Sequence, residues 1–282
     1  MSTPTSTIAV PSPTPPESAS PVVVFDDVSI AFDEKQVLKE ISFQLDKGET
    51  KAIFGVAGAG KSTILKLTLG LIKPDRGHIR VLGEDVTTMK EQDLFELRRK
   101  IGMVFQESAL FDSLNVRDNV AFRLMEEGES APEEIEKRVR EALSFVELEN
   151  TVDLFPSELS GGMRRRVAIA RAIITRPEVI LYDSPTGGLD PVTSTTIIEL
   201  IVKQRDVYGT SSLLVTHRLQ DAFVMASHYF DTQTGHMWPL RDDPKRKIPM
   251  KFLILREGEI IFDGDIQELA QTRDEYIREY IS

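Results

Sequence analysis

The stretch Gly55-Val56-Ala57-Gly58-Ala59-Gly60-Lys61-Ser62-Thr63 contains the pattern G-x-x-x-x-G-K-[ST] in full. Its glycines let backbone N–H groups turn inward around phosphate oxygens, and a helix starting at the lysine adds the positive end of its dipole. In that setting Lys61 reaches the β- and γ-phosphates of a nucleotide, and the Ser62 hydroxyl holds Mg²⁺. Asp183 closes the apolar run Val179-Ile180-Leu181-Tyr182, which is how a buried parallel strand delivers a carboxylate to a metal at its carboxyl end. His217 closes a second run, Ser212 to Thr216; a histidine at a strand end is by itself more often structural than catalytic. Phe32 ends a third run and is either a stacking face for a base or a core aromatic, both of which its position allows.

These residues need particular elements to hold them. Lys51-Ala52-Ile53-Phe54 reads as the strand before the loop, and Ile64 to Ile72 as an apolar-faced helix after it. Upstream, Val22 to Phe25, Val28 to Phe32 and Ile41 to Leu45 predict an antiparallel sheet beside the nucleotide site. Gly77 to Leu82 and Ile101 to Phe105 predict further strands, and Gln106 follows the second directly. Glu133 to Glu149 carries Ile135, Val139, Ala142, Leu143 and Val146 on one helical face, with Ser130 and Glu133 as a capping-box pattern at its start. Residues 106–158 therefore read as a helical insertion. Leu159-Ser160-Gly161-Gly162-Met163 opens a helix ending near Arg176-Pro177, and Arg164-Arg165-Arg166 within it reads as a solvated face. The alternation of strands and helices, with polar residues at strand ends, implies a parallel sheet with its site along one edge. The expected class is α/β: a P-loop NTPase core with a parallel sheet, an antiparallel β subdomain and an inserted α-helical subdomain.

Composition narrows the function. The 282-residue chain is 41% hydrophobic, enough for a sizeable core, and its net charge of −11 argues against nucleic acid as a partner. Cysteine is absent, which excludes disulfides and thiolate metal sites and fits a reducing compartment. No apolar run approaches the roughly 20 residues of a membrane-spanning helix. Residues 1–21 are rich in Pro, Ser and Thr, lack the basic start and apolar centre of a secretory signal, and read as a disordered tail. A cytoplasmic location follows as the expectation, with any membrane role requiring a partner.

Taken together, the phosphate loop at Gly55 to Thr63, Gln106, the signature Leu159 to Met163, the strand ending in Asp183, Gly188-Leu189-Asp190 and His217 resemble the ATP-binding subunit of ABC (ATP-binding cassette) transporters, over about residues 22 to 270. The resemblance implies an ATPase using ATP and Mg²⁺. It also implies a head-to-tail sandwich of two subunits, a homodimer here, in which each ATP lies between one chain's loop and Ser160, Gly161 and Gly162 of the other. Those three residues start a helix, an anion site with no anion of its own. The resemblance assigns Gln106 to Mg²⁺, to the attacking water and to relaying occupancy to a transmembrane permease docked near Glu107 to Asn119. It assigns His217 to the γ-phosphate; Asp183 and Ser62 remain the metal ligands expected from the strand end and the loop, and Phe32 the candidate contact for adenine. Localisation would be peripheral, on the inner face of the cell membrane through the permease. Residues 22–282 would form the cassette.

Three departures qualify the match. Met163 stands where the family usually has Gln, and LSGGM followed by Arg164-Arg165-Arg166 is similar to lipid importers of the Mla/Mce type, as are Phe105 to Phe111 and Asn115 to Val120; this implies lipid cargo and a lipid-binding Mce-like partner. Ser184 stands where the family usually has the catalytic Glu, and serine has no basic form near neutral pH. Loss of a positioned base typically costs ~10²- to 10⁴-fold in rate. Two explanations stay open: hydrolysis is slow, with Gln106 and His217 orienting water alone, or a distinct ATPase partner supplies the carboxylate. The third departure is an insertion over about residues 229–249, containing Trp238, read as a solvated hairpin or a partner contact. Residues 265–282 read as a C-terminal docking helix. Rival readings are a regulatory subunit that binds nucleotide with little hydrolysis, and a soluble ABC ATPase acting on DNA or ribosomes; tandem cassettes and heptad arms, the usual marks of the latter, are absent.

Overall fold

Parallel strands buried on both faces must send alternate side chains into two different cores. The computed structural model, which describes residues 20–128, 131–243 and 245–281, does this across a six-stranded sheet. In chain order its elements are β1 (Pro21–Phe32), β2 (Lys35–Asp46), β3 (Thr50–Gly55), α1 (Lys61–Thr68), β4 (Arg76–Val81), β5 (Glu84–Asp85), α2 (Glu91–Arg99), β6 (Ile101–Val104), α3 (Val116–Glu127) and α4 (Pro132–Phe145). The chain continues with α5 (Gly161–Ile173), β7 (Val179–Asp183), α6 (Pro191–Tyr208), β8 (Ser211–Val215), α7 (Leu219–Ser227), β9 (His228–Asp231), β10 (His236–Pro239), β11 (Met250–Arg256), β12 (Glu259–Gly264), α8 (Ile266–Ala270) and α9 (Glu275–Ile281).

The central sheet runs β12-β11-β3-β8-β7-β6, parallel throughout except for the antiparallel β12 edge. Ala52, Phe54, Ile180, Tyr182, Leu214, Phe252 and Ile254 face one core with α5, α6 and α7. Ile53, Val179, Leu181, Leu213, Val215, Leu253 and Leu255 face the other, shared with α1 and the antiparallel sheet β2-β1-β4-β5. The α/β class with an antiparallel subdomain and an inserted helical subdomain is therefore the observed architecture, the insertion being α3 and α4 between β6 and α5.

Several boundaries differ from the sequence expectation. The two strands expected over Val22 to Phe32 are one strand, because a bulge with Asp27 at φ 53° absorbs the polar Asp26-Asp27 pair without ending the pairing with β2. The first helix stops at Thr68 rather than Ile72, ahead of the left-handed Gly70. Ser130 lies outside the described residues, and α4 is capped by Ala131 with Pro132 in its first turn and no side-chain cap bond. A missing cap costs about 1 kcal/mol, whereas each of Ile135, Val139, Leu143 and Phe145 gains roughly 1.5–3 kcal/mol on burial, so the buried face decides. The expected C-terminal helix is two short ones, α8 and α9. Asp274 starts the second by accepting the Ile277 N–H at 3.0 Å, and Ser282 lies outside the described residues.

Residues 1–19 of the expected tail also lie outside the described residues. The 229–249 segment contains the β9–β10 hairpin. Buried Arg205 and half-buried Asp206 of α6 rivet it, Arg205 Nη2 donating to His228 O at 2.9 Å and Asp206 Oδ2 accepting from Phe230 N at 2.7 Å. Trp238 on this hairpin is 42% exposed and donates its Nε1–H to Thr234 Oγ1 at 2.9 Å.

Candidate functional site

Parallel register brings three strand ends together. Ile53 of β3 pairs with Val215 of β8, and Val215 pairs with Asp183 of β7, so the residues after each strand meet at one sheet edge. The loop after β3 turns through glycines at positive φ. At Gly55 (φ 148°) an added Cβ would lie 2.5 Å from Leu255 O, and at Gly60 (φ 96°) it would meet a Leu38 methyl at 2.5 Å and Val37 O at 3.0 Å. The cradle therefore has no room for side chains at either end. Gly60 is also the N-cap of α1, with no side chain to satisfy the first amides of the helix.

Lys61 is buried, and its Nζ donates to Gly55 O at 2.7 Å and Val56 O at 2.9 Å. Burial pulls its pKa below the ordinary lysine value, opposed by the Asp183 carboxylate. The cleft over the loop, about 270 Å³, is walled by Ala57, Gly58, Gly60, Lys61, Ser62 and Thr63, with Val37 from β2 and His217 from the end of β8. Partial burial, followed by the Lys61 charge, pushes His217 below the usual histidine value, and Asp183 opposes it. A neutral imidazole beside a cationic lysine, amide donors and an exposed serine hydroxyl form a donor set for phosphate.

Ser184 begins the turn after β7 in a left-handed conformation (φ 47°), buried, with its N–H on Val215 O at 2.8 Å and its carbonyl accepting from Gly187 N at 2.9 Å. Gln106 is exposed after β6, and a Cβ built on Gly187 would lie 3.6 Å from its Cγ. Ser160 caps α5, accepting the Met163 N–H at 3.2 Å, and Ser160 and Gly161 are exposed. Gly162 packs where a Cβ would come within 2.4 Å of Thr193 on α6. The structure thus brings Lys61, Ser62 and His217 to one cleft with Asp183 in electrostatic reach, while Ser160 and Gly161 do not line it. Phe32 does not line it either: it is 44% exposed at the β1–β2 turn, which excludes the core-aromatic reading.

The three arginines after the signature are not a solvated face. Arg164 Nη1 donates to Leu159 O, Arg166 Nη1 to Val146 O at 3.1 Å, and Arg165 is buried. Arg165 reaches Phe105 O at 2.9 Å and the carbonyls of Ser184 and Gly187 at 3.4 Å, joining the start of the Gln106 segment to the Ser184 turn. Arg171 donates to Ser108 O and Ala109 O at 2.8 Å each, and buried Asn119 bonds Phe111, Leu114 and Asn115, so the 106–115 segment hangs on α5 and α3. A long polar side chain facing inward on an otherwise apolar helix face was the available signal; the acceptors, being backbone carbonyls, left none.

A family model described as ABC transporter matches residues 38–187, just over half of the 282 residues. The chain is 36% identical over 263 residues to the protein Trigalactosyldiacylglycerol 3, chloroplastic, of Arabidopsis thaliana, covering 90% of this chain and 71% of that one. It is 38% identical over 242 residues to the methionine import ATP-binding protein MetN 1 of Bacillus cereus, covering 82% and 70%. Among solved structures, the dimeric post-hydrolysis state of the ATP-binding cassette MJ0796 bound to ADP and Pi aligns with a TM-score of 0.72 at 30% identity over 86% of this chain and 98% of that one. The cbiO1 subunit of the Clostridium perfringens cbiONQ transporter complex aligns at 0.74 and 27%, covering 92% and 94%. A glycine-walled cleft around Lys61, a strand-end carboxylate and the Leu159 to Met163 signature, in the fold of the ADP-bound MJ0796 cassette, have one common source: this chain belongs to the ABC transporter family as an ATP-binding domain.

Proposed function

We propose that the chain is the ATP-binding subunit of a lipid transporter, working head to tail with a second copy on the inner face of the membrane beneath a transmembrane permease. One observation carries the pairing: Ser160 and Gly161 lie exposed at the start of α5 yet do not line the cleft around Lys61, so a single chain holds two separate half-sites. The dimeric ADP-bound state of the MJ0796 cassette supports joining them across two chains.

In this reading the loop amides and Lys61 grip the β- and γ-phosphates, with phosphate competing against the Gly55 and Val56 carbonyls for the ammonium. Ser62, Gln106 and Asp183 would hold Mg²⁺. One hydroxyl, one amide and one carboxylate suit an ion that keeps several waters and phosphate oxygens. Held there, the ion would supply positive charge against the negative charge of the transferred phosphoryl group. His217, held neutral, donates to the γ-phosphate, and Phe32 offers an exposed ring to adenine. Ser184 provides no base, so Gln106 and His217 orient water and hydrolysis is slow. The same residue favours a second reading, a switch that works chiefly by nucleotide binding. Exposed Phe105 and Phe111, beside the segment that Arg171 and Asn119 hold, offer apolar contact to the permease.

Lipid cargo is supported by Met163 followed by three arginines and by the galactolipid name of the Arabidopsis relative; the MetN relatives name the competing cargo, methionine. Affinity purification of the full chain from its own membranes should bring down a multi-span permease and a lipid-binding partner. A permease that restores methionine uptake, without a lipid-binding partner, would overturn the cargo. Lys61→Ala should abolish ATP binding and ATP-dependent dimerisation by light scattering, and retained binding would overturn the site.

A further inference from the structure

The first residue of the phosphate loop is held from an unexpected direction. Gly55 donates its N–H to the Tyr280 hydroxyl of α9 at 3.2 Å, across 225 positions of chain, while its carbonyl accepts the Lys61 ammonium at 2.7 Å. The two polar groups of one glycine therefore tie the C-terminal helix to the phosphate-binding lysine. Gly55 cannot slide away, because its φ of 148° and its contact with the Leu255 backbone leave no space on the β11 side.

Tyr280 is itself fixed. Its ring stacks on Tyr276 with centroids 6.2 Å apart and planes at 19°. Arg256, at the end of β11, lies 4.3 Å over the Tyr276 ring. Ile277 between them is buried, and its N–H is capped by Asp274. Burial pushes the Tyr280 hydroxyl above the usual phenol value, so it stays protonated at neutral pH. α9 is thus braced against the same strand, β11, that confines Gly55.

We infer that Tyr280 is a positioning residue for the phosphate loop, and that docking of α9 and nucleotide binding are thermodynamically coupled through Gly55. The inference rests on the reading of the loop as the ATP site. It implies reciprocity: if α9 docking aids ATP binding, ATP protects α9 by the same factor.

Three full-length proteins test it: wild type, Tyr280→Phe, which keeps the ring and its stacking but removes the acceptor, and Tyr276→Phe as a control for loss of a hydroxyl in the same helix. ATP affinity is read by calorimetry, and backbone amide exchange is followed over residues 50–60 and 275–281 with and without Mg-ATP. The expected result is a three- to tenfold weaker affinity in Tyr280→Phe, faster exchange at Gly55, and unchanged affinity in Tyr276→Phe. ATP should slow exchange over 275–281 in wild type and do so less in Tyr280→Phe. In turnover, KM should rise with kcat unchanged, a split that general destabilisation does not produce. Wild-type affinity in Tyr280→Phe, or exchange over 275–281 that ignores ATP, overturns the inference while leaving the ATP site standing. A wild-type chain that does not bind ATP overturns both.

Discussion

Ser184→Glu asks whether a base is all that the hydrolytic site lacks. A positioned base contributes ~10²- to 10⁴-fold, or roughly 3–5 kcal/mol of barrier. The structure argues for a gain at or below the bottom of that range. The backbone at position 184 is already committed: φ is 47°, the N–H is held by Val215 at 2.8 Å and the carbonyl by Gly187 at 2.9 Å. An unbranched glutamate inherits that conformation without added strain relative to serine. Burial at 4% exposure and the neighbouring Asp183 would raise the new carboxylate's basicity, which helps a general base. Against this, Arg165 lies 3.4 Å from Ser184 O with its Nε buried and unpartnered, a ready donor for a carboxylate. Capture there would lower the pKa, and each unit withdraws about 1.4 kcal/mol. The expected gain is about 10- to 100-fold in steady-state phosphate release by the purified complex at saturating Mg-ATP. Ser184→Gln, similar in shape but without a base, should stay near the serine rate. Turnover of the glutamate variant no faster than that of the glutamine variant, with ATP affinity intact in both, would refute the missing-base account.

Two further outcomes follow from the site's electrostatics and bonding. The imidazole of His217 should titrate by NMR with a midpoint below the ordinary value of about 6.5, and Lys61→Met should raise that midpoint by removing the adjacent charge. Because the folded value lies below the unfolded one, the unfolded chain binds more protons in this window, so His217 contributes stability above about pH 6.5 that is lost as pH falls through the folded midpoint. His217→Gln should therefore flatten the acid side of the thermal-stability profile, and an unchanged slope would count against the assignment. Arg165→Lys keeps the charge but not the fork that spans Phe105 O, Ser184 O and Gly187 O. Turnover should fall about five- to tenfold with ATP affinity within twofold of wild type, and equal losses in both would move Arg165 from positioning to simple stability.

Much of the nucleotide half of the molecule is written in local pattern. Phosphate loop, apolar strand and strand-end carboxylate are contiguous signals, so β3, α1 and β7 could be anticipated along with their chemistry. The central sheet order depends on the parallel crossovers, and its alternating faces follow from runs such as Val179 to Tyr182 that are apolar at every position. What stayed hidden was encoded at a distance. Arg165 gathers carbonyls from residues 60, 19 and 22 positions away, and a carbonyl has no sequence signature. The break between α8 and α9 was hidden by apolar spacing that runs on through it; the Asp265 and Asp274 caps, each read alone, are ordinary surface carboxylates. The bulge at Asp27 looked like a strand end because two adjacent aspartates usually mark a turn.

The β9–β10 hairpin carries a consequence for measurement. Trp238 is the one tryptophan among the 282 residues, and it stands half out of the surface on an element clamped to α6 by Arg205 and Asp206. Indole emission from this protein therefore originates at a single address, well separated in the chain from the phosphate loop, with no background to subtract. Nucleotide titrations read in that channel report only what reaches the hairpin, and a quencher dissolved in the buffer reports only whether another molecule covers it. The chain carries its own dye, already placed on a segment whose purpose the family pattern does not supply.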